Sequence, residues 1–173
     1  MASMTLQSAI RAIALLTPDG TKADLEGLRD RALVVMAVTT RAMPEALSAL
    51  TAGSLVFGEH GVTIDLPGPG GATVGGTLTL RRGAPLLPVE TLEAWDTALA
   101  ATSSPLFPVL DPDWRPTELA MSAKAIRAVL NGRLGAALAA ASLPSVDGDS
   151  LVRRIAAERS AWRRDEPRCA TGS

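Results

Sequence analysis

The feature that most constrains the fold is an apolar run within a stretch of helical spacing. From Ala32 to Val38 the sequence reads Ala-Leu-Val-Val-Met-Ala-Val, so no polar residue falls on any face of this helix segment. A helix that is apolar all round is stable in water only when other elements bury it. Asp24 is a suitable N-cap, because its carboxylate can accept a hydrogen bond from the unpaired N–H groups of the first turn. We therefore predict a helix from Asp24 through Val38 that is buried on most sides.

Apolar spacing near 3.6 residues, together with turn signals, predicts further helices on both sides of the buried one. Their approximate ranges are Thr5 to Leu16, Pro44 to Leu50, Pro88 to Leu99, Thr117 or Ser122 to Ala141, and Asp149 to Arg164. Glycine destabilises a helix interior by about 1 kcal/mol relative to Ala, so Gly132 and Gly135 are candidate break points in the long Ala-rich helix. Trp95 is expected to anchor the core.

Between Gly53 and Arg82 the pattern changes to the alternation that is typical of half-buried strands. We predict strands at 54–57, 62–66 and 76–80, with a tight turn from Gly58 to Gly61 that makes the first two a hairpin. The Pro- and Ser-rich stretch that follows Leu99 is predicted to be a loop. The expected fold class is mainly α with a small three-stranded antiparallel β-sheet, that is, α+β.

The size and composition limit what this fold can be. A chain of 173 residues with 47% hydrophobic content can bury one substantial core but not two ordinary ones. No apolar run reaches the roughly 18 residues that span a bilayer, and no signal-peptide pattern opens the sequence. The expectation is a cytoplasmic protein without a membrane partner. No cofactor or metal is expected, since Cys169 is the single cysteine and His60, in a Glu-His-Gly turn, the single histidine.

The charge balance argues against strong binding of nucleic acid. The formal net charge is −1, which gives no overall attraction to a polyanion. Of the 17 basic residues only Lys22 and Lys124 are lysines, which leaves 15 arginines. Arginine suits bidentate phosphate contacts. Composition explains this richness more simply, because arginine also accompanies Ala-rich sequences of this kind.

Several short segments, in order, resemble the catalytic domain of phage-integrase-type tyrosine recombinases. The first is Gly27-Leu28-Arg29-Asp30-Arg31-Ala32-Leu33-Val34-Val35, which is similar to the GLRDRAL-like start of that domain. The others are Pro44 to Leu50, Leu87 to Trp95, Ser104 to Val109 and Met121 to Leu130. The resemblance covers about Leu6 to Ala161 and implies a tyrosine-recombinase-like fold. It predicts one integrase-like domain over residues 5–164 and a polar tail over 165–173.

The same resemblance implies that the chemistry has been lost. The family uses a Tyr nucleophile, two Arg, a Lys, and His or Trp donors around the scissile phosphate. Aligning Glu45 with the Glu of the family's GLRxSE box puts Ala42 at the first Arg position, with Arg41 one residue early. One helical residue corresponds to a rotation of about 100°, so Arg41 is expected to point away from the former pocket. We therefore expect the chain not to be an enzyme.

The other family positions support that expectation. Gly148-Asp149-Ser150-Leu151-Val152 resembles the second box, GHSLR, so that Asp149 replaces the His and Val152 replaces the Arg. The predicted hairpin contains no Lys, and the sequence contains no Tyr. If the alignment is right, Ala42 and the turn from Asp149 to Val152 approach one another across the core.

Two functions remain open for such a domain. It is a DNA-associated or integrase-associated accessory protein, or a mobile-element remnant, or else a protein-interaction module that does not bind DNA. Its partners would be DNA, bound weakly and without sequence preference, or another integrase-like protein. The strand end, the long helix and the second box line the family's DNA-facing side, which makes these residues candidate phosphate contacts: Arg81, Arg82, Arg127, Arg133, Arg153 and Arg154. Arg41, beside the first box, is a further candidate.

Overall fold

The computed structural model describes residues 24–68, 76–84, 86–99 and 105–140. The predicted helices at 5–16 and 149–164, the polar tail, and Arg153 and Arg154 lie outside the described residues. So does the predicted approach of Ala42 to the turn from Asp149 to Val152.

Helix α1, Asp24–Thr40, is the centre of the core. Every residue from Ala32 to Val38 is fully buried, which confirms the prediction made from the apolar run. The hydroxyls of Thr39 and Thr40 donate to the carbonyl oxygens of Val35 and Met36 at 2.7 Å and 2.8 Å, so both side chains are satisfied within the helix. Helices α3 and α4, defined below, both pack against α1.

Strands β1 (Leu55–Gly58), β2 (Gly61–Asp65) and β3 (Thr77–Arg81) form an antiparallel sheet in the order β1-β2-β3, as predicted. The register puts apolar residues on the core-facing side, namely Leu55, Phe57, Val62, Ile64, Leu78 and Leu80. The opposite side carries Thr63, Thr79 and the Thr77–Asp65 hydrogen bond of 2.9 Å. Gly61 is required by packing, because a Cβ there would lie 2.1 Å from the carbonyl oxygen of Leu80.

Helices α2 (Pro44–Ser48) and α3 (Pro88–Leu99) each begin at a proline. Helix α2 ends two residues before the predicted boundary at Leu50. Trp95 on α3 is fully buried, and its indole N–H donates to the carbonyl oxygen of Leu106 at 2.8 Å. This bond confirms Trp95 as a core anchor and joins α3 to the segment that follows it.

Helix α4, Ala123–Ala140, begins after Ser122, whose Oγ accepts a hydrogen bond from the N–H of Ala125 at 3.2 Å. Of the two predicted starts, Ser122 is therefore right and Thr117 wrong. The prediction of a break at Gly132 or Gly135 is also wrong, since the helix is continuous through both. Ile126, Leu130 and Leu134 lie fully or almost fully buried on one face, and their burial outweighs the weak helix propensity of two glycines.

A second, two-stranded sheet lies where a loop was predicted. Strands β4 (Pro108–Leu110) and β5 (Pro116–Ala120) pair antiparallel with an irregular register. Asp111 builds the turn between them, since its Oδ1 accepts from the N–H groups of Asp113 and Arg115 at 2.9 Å and 2.8 Å. Both strands begin with a proline. Because proline lacks an N–H group for the strand ladder, its presence in a sequence argues against a strand, and these two were not predicted.

Candidate functional site

The loop between α1 and α2 is where the resemblance places the first catalytic Arg. Ala42 is half-buried there, packs against the core, and donates its N–H to Oγ1 of Thr40 at 3.1 Å. Its side chain is a methyl group and offers no donor for a phosphate. The structure therefore contains no guanidinium on the residue that aligns with the family's Arg.

Arg41 is exposed, but the reason given for its orientation was wrong. It does not lie on a helix, because α1 ends at Thr40 and Arg41 has a left-handed φ of 62°. Its N–H donates to the carbonyl oxygen of Ala37 at 3.0 Å, which closes the last turn of α1. The position of Arg41 is thus set by helix termination rather than by a rotation of about 100° along a continuing helix.

Arg81 and Arg82 lie at the end of β3. The guanidinium of Arg82 forms a bidentate pair with Glu93 on α3, with Nη1–Oε2 and Nη2–Oε1 distances of 2.8 Å and 2.5 Å. This hydrogen bonding raises the pKa of Arg82 and lowers the pKa of Glu93 from their ordinary values. Glu90, one turn earlier on α3, accepts the N–H of Gly83 at 3.1 Å. Arg81 is exposed and makes no ion pair with any described residue.

Arg127 on α4 pairs with Glu45 in the first turn of α2 at 3.2 Å. Both side chains are exposed, at 40% and 62%. This pair joins the long helix to the helix that follows Ala42, so Arg127 lies next to the segment that aligns with the family's first active-site box.

Arg133 belongs to a more buried group, which we call the Asp30 network: Glu26, Arg29, Asp30 and Arg133. Oδ2 of Asp30 accepts from Nε of Arg133 at 2.7 Å, and Oδ1 accepts from Nε and Nη2 of Arg29 at 3.0 Å and 2.8 Å. Glu26 lies 3.5 Å from Arg29 and 4.0 Å from Arg133. The Asp30 side chain is only 5% exposed, so its charge is compensated almost entirely by protein.

Of the described candidate arginines, Arg82, Arg127 and Arg133 are bound by carboxylates. Sequence reasoning missed these partners. A signal was present for Glu90 and Glu93, whose spacing of three residues puts them on one face of α3. A signal was also present for Asp30, which stands between Arg29 and Arg31 directly before the apolar run from Ala32 to Val38. That these arginines contact phosphate stays a prediction.

The described residues contain neither a membrane-spanning helix nor a cluster of metal ligands. Among residues 24–68, 76–84, 86–99 and 105–140, no helix is long and apolar enough to cross a membrane. Within the same ranges, no three His, Cys, Asp or Glu side chains come together as a metal site would require. His60 is exposed in the turn between β1 and β2, as predicted.

Two solved structures share the fold. One is the XerH site-specific recombinase bound to palindromic difH substrate in a post-cleavage complex, with 19% identity, a TM-score of 0.65, and coverage of 95% of this chain and 43% of that chain. The other is XerH bound to difH substrate in a pre-cleavage complex, with 18% identity, a TM-score of 0.61, and coverage of 95% and 44%. Neither a protein-family model nor a curated protein sequence matches significantly.

This likeness confirms the fold predicted from the ordered motifs. The chain has a tyrosine-recombinase catalytic-domain-like α+β fold. It spans less than half the length of the recombinase chains that it matches.

Proposed function

We propose that this chain is a non-enzymatic domain of tyrosine-recombinase fold that acts as an accessory to DNA or to another integrase-like protein. The observation that carries the proposal is Ala42. It occupies the aligned position of the first catalytic Arg, it packs against the core, and its methyl group cannot stabilise charge on a phosphoryl centre. The chain therefore has the recombinase-like fold but has Ala42 in place of one of the arginines that the family's reaction requires.

Further positions inside the sequence support the same conclusion. Asp149 and Val152 stand at the aligned His and Arg of the second box, and the only lysines are Lys22 and Lys124, neither in the predicted hairpin. Removing one preorganised electrostatic group from an enzyme lowers kcat by roughly 10²- to 10³-fold. Several such replacements in one site leave no plausible route to phosphoryl transfer by this domain.

The accessory role includes weak DNA contact. Arg81 is exposed at the end of β3 without an ion pair in the described part of the chain, and Arg41 is exposed between α1 and α2. Arg82, Arg127 and Arg133 are bound by carboxylates, which lowers what they can contribute. We therefore expect sequence-independent binding in the micromolar to sub-millimolar range, roughly 10⁻⁶ to 10⁻⁴ M.

A protein-interaction module is the second candidate, and the β4–β5 hairpin favours it. Val109 and Leu119 are 40% and 69% exposed. Both residues lie on one small two-stranded sheet, whose register is irregular between Pro108 and Leu110. Exposed apolar residues that lie close together are common at protein interfaces.

A covalent-trapping experiment tests the non-enzymatic assignment. The purified protein is incubated with a nicked suicide duplex, denatured and resolved by electrophoresis, with an active tyrosine recombinase and its own substrate as the positive control. We expect no adduct and no relaxation of supercoiled DNA. A protein–DNA adduct that survives denaturation would falsify the assignment.

A low-salt titration with labelled duplex then separates the two candidate functions. Weak binding that is insensitive to sequence and decreases steeply with salt supports the DNA-associated role. If no binding is detected at low salt, the protein-interaction role is preferred instead. Nanomolar, sequence-specific binding would contradict both.

A further inference from the structure

We infer that Glu93 and Glu45 act as intramolecular substitutes for phosphate, holding Arg82 and Arg127 in pairs that suppress binding of the protein to polyanions. The inference adds regulation to the proposed DNA-associated role and rests on it. The family resemblance predicts that both arginines face DNA. In the structure each of them is paired with a carboxylate.

The geometry of the Arg82 pair carries the first step. A guanidinium presents parallel N–H donors that match either a carboxylate or a phosphate, but one fork can serve only one such partner. Both oxygens of Glu93 occupy the two terminal nitrogens of Arg82, and Nε of Arg82 donates to the carbonyl oxygen of Glu59 at 3.3 Å. A DNA phosphate can bind this fork only after Glu93 has been displaced.

Because of its position on α3, Glu93 always competes with a DNA phosphate for the guanidinium of Arg82. Glu93 and Glu90 extend from the same face of α3, and Glu90 also holds the turn after β3 through the N–H of Gly83 at 3.1 Å. The carboxylate is thus supplied by a helix rather than by a mobile tail, and its local concentration at Arg82 is high at every DNA concentration.

Arg127 also pairs with a carboxylate elsewhere in the fold, but through Nη2 alone. Glu45 extends from the first turn of α2 and contacts Arg127 on α4 at 3.2 Å, with both side chains well exposed. Exposure matters, because an exposed pair can exchange its carboxylate for an external phosphate whereas a buried pair cannot. Arg133 does not qualify for this reason, since its partner Asp30 is buried.

Two exposed carboxylates elsewhere on the surface supply a control. Glu118 on β5 and Asp113 in the β4–β5 turn are also exposed carboxylates, but neither pairs with a described cation. Neutralising them changes the net charge by the same amount as neutralising Glu45 and Glu93. It frees no described arginine.

The experiment compares the double variants E45Q/E93Q and D113N/E118Q with the wild-type chain. Each is titrated against a labelled duplex of arbitrary sequence across a salt series, after circular dichroism has established that each is folded. Releasing Arg82 from Glu93 and Arg127 from Glu45 should tighten binding several-fold at low salt and steepen the dependence of log affinity on log salt by about 1 to 2. The control should change affinity less than twofold and leave the slope unaltered.

A reversal arm assigns the effect to the freed arginines. Adding R82Q and R127Q to E45Q/E93Q should return the affinity and the salt slope to the wild-type values. If the fourfold variant does not fold, the pair E93Q and E93Q/R82Q makes the same comparison at one site. The inference is overturned if E45Q/E93Q behaves like D113N/E118Q, or if the reversal has no effect.

Retention on immobilised heparin separates failure of the inference from failure of the proposed function. If wild-type protein does not bind duplex but E45Q/E93Q is retained at higher salt than D113N/E118Q, the suppression is real and the DNA-associated role is wrong. If wild-type protein binds duplex and E45Q/E93Q binds no more tightly than the control, the DNA-associated role stands and the suppression is rejected.

Discussion

The Asp30 network and the Arg82–Glu93 pair are built from the same chemistry and differ in burial. Asp30 is 5% exposed and is held by arginines from α1 and α4, whereas Arg82 and Glu93 are 39% and 38% exposed. A buried carboxylate without its partners is costly, because neither water nor protein then compensates its charge. An exposed pair is replaced by water at little cost. The first arrangement therefore holds the fold together, and the second remains available for exchange with solutes.

Removing the charge at the centre of the buried network should have the largest effect. Asp30→Asn leaves the buried Arg29 with only Glu26, 3.5 Å away, and removes the charged link to Arg133. We expect the free energy of unfolding to fall by about 3 kcal/mol. Urea denaturation followed by circular dichroism measures it.

Asp65→Asn is the matched control for that change. Asp65 is an exposed carboxylate that accepts one hydrogen bond, from Thr77 at 2.9 Å. Its replacement should change the free energy of unfolding by no more than about 0.5 kcal/mol. Equal effects at the two positions would contradict the assigned role of burial.

Breaking the link between helices without removing Asp30 should have an intermediate effect. Arg133→Met keeps an unbranched apolar stem but removes the guanidinium that joins α4 to Asp30 at 2.7 Å. Arg29 still compensates the carboxylate, so we expect a loss of about 1 kcal/mol. Arg81→Met, at an exposed residue without an ion pair in the described ranges, is the control and should be close to neutral. A loss at Arg133 as large as that of Asp30→Asn would mean that Arg29 contributes nothing.

Breaking the exposed Arg82–Glu93 pair should have the smallest effect on the free energy of unfolding. It should be detected as a change in the titration of Glu93. The hydrogen bond from Arg82 lowers the pKa of Glu93 below its ordinary value of 4.5. A lowered carboxyl pKa stabilises the fold above that ordinary value, and this stabilisation is lost as the pH falls through the lower, folded value. Carboxyl NMR of wild-type protein and Arg82→Gln should show the Glu93 midpoint moving upward in the variant. An unchanged midpoint would mean that the pair does not form in solution.

The sequence predicts those features of the fold that follow from the spacing of apolar residues along a short segment. The burial of Ala32 to Val38 and the core face of β1, β2 and β3 follow from spacing alone, and both were predicted. The hairpin of β4 and β5 was not, because it depends on a side-chain turn at Asp111 and on strands that begin with proline. Gly132 and Gly135 were predicted as candidate break points in the long helix α4 because helix propensity is local, whereas the burial of Ile126, Leu130 and Leu134, which outweighs it, depends on tertiary packing.

The candidate site divides in the same way. The replacement of an Arg by Ala42 can be seen in a sequence, since it concerns the identity of one residue. The pairing of Arg127 with Glu45 cannot, because 82 residues separate them and only the packing of α4 on α2 brings them together. Lists of basic residues therefore overestimate the phosphate contacts that a fold can offer.

The central position of α1 also has a consequence for synthesis of the chain. Helix α1 ends at Thr40, but α3 and α4, which cover it, are complete only at Leu99 and Ala140. At roughly 5–20 residues per second, the ribosome needs on the order of 5–20 s to add the intervening chain. Until Leu99 has been added, the apolar run from Ala32 to Val38 is covered by neither of these helices, and until Ala140 has been added it lacks the cover of complete α4. A nascent chain of this kind is a natural client for chaperones at the ribosome exit, and slowing translation between α1 and α4 should lower the yield of soluble protein.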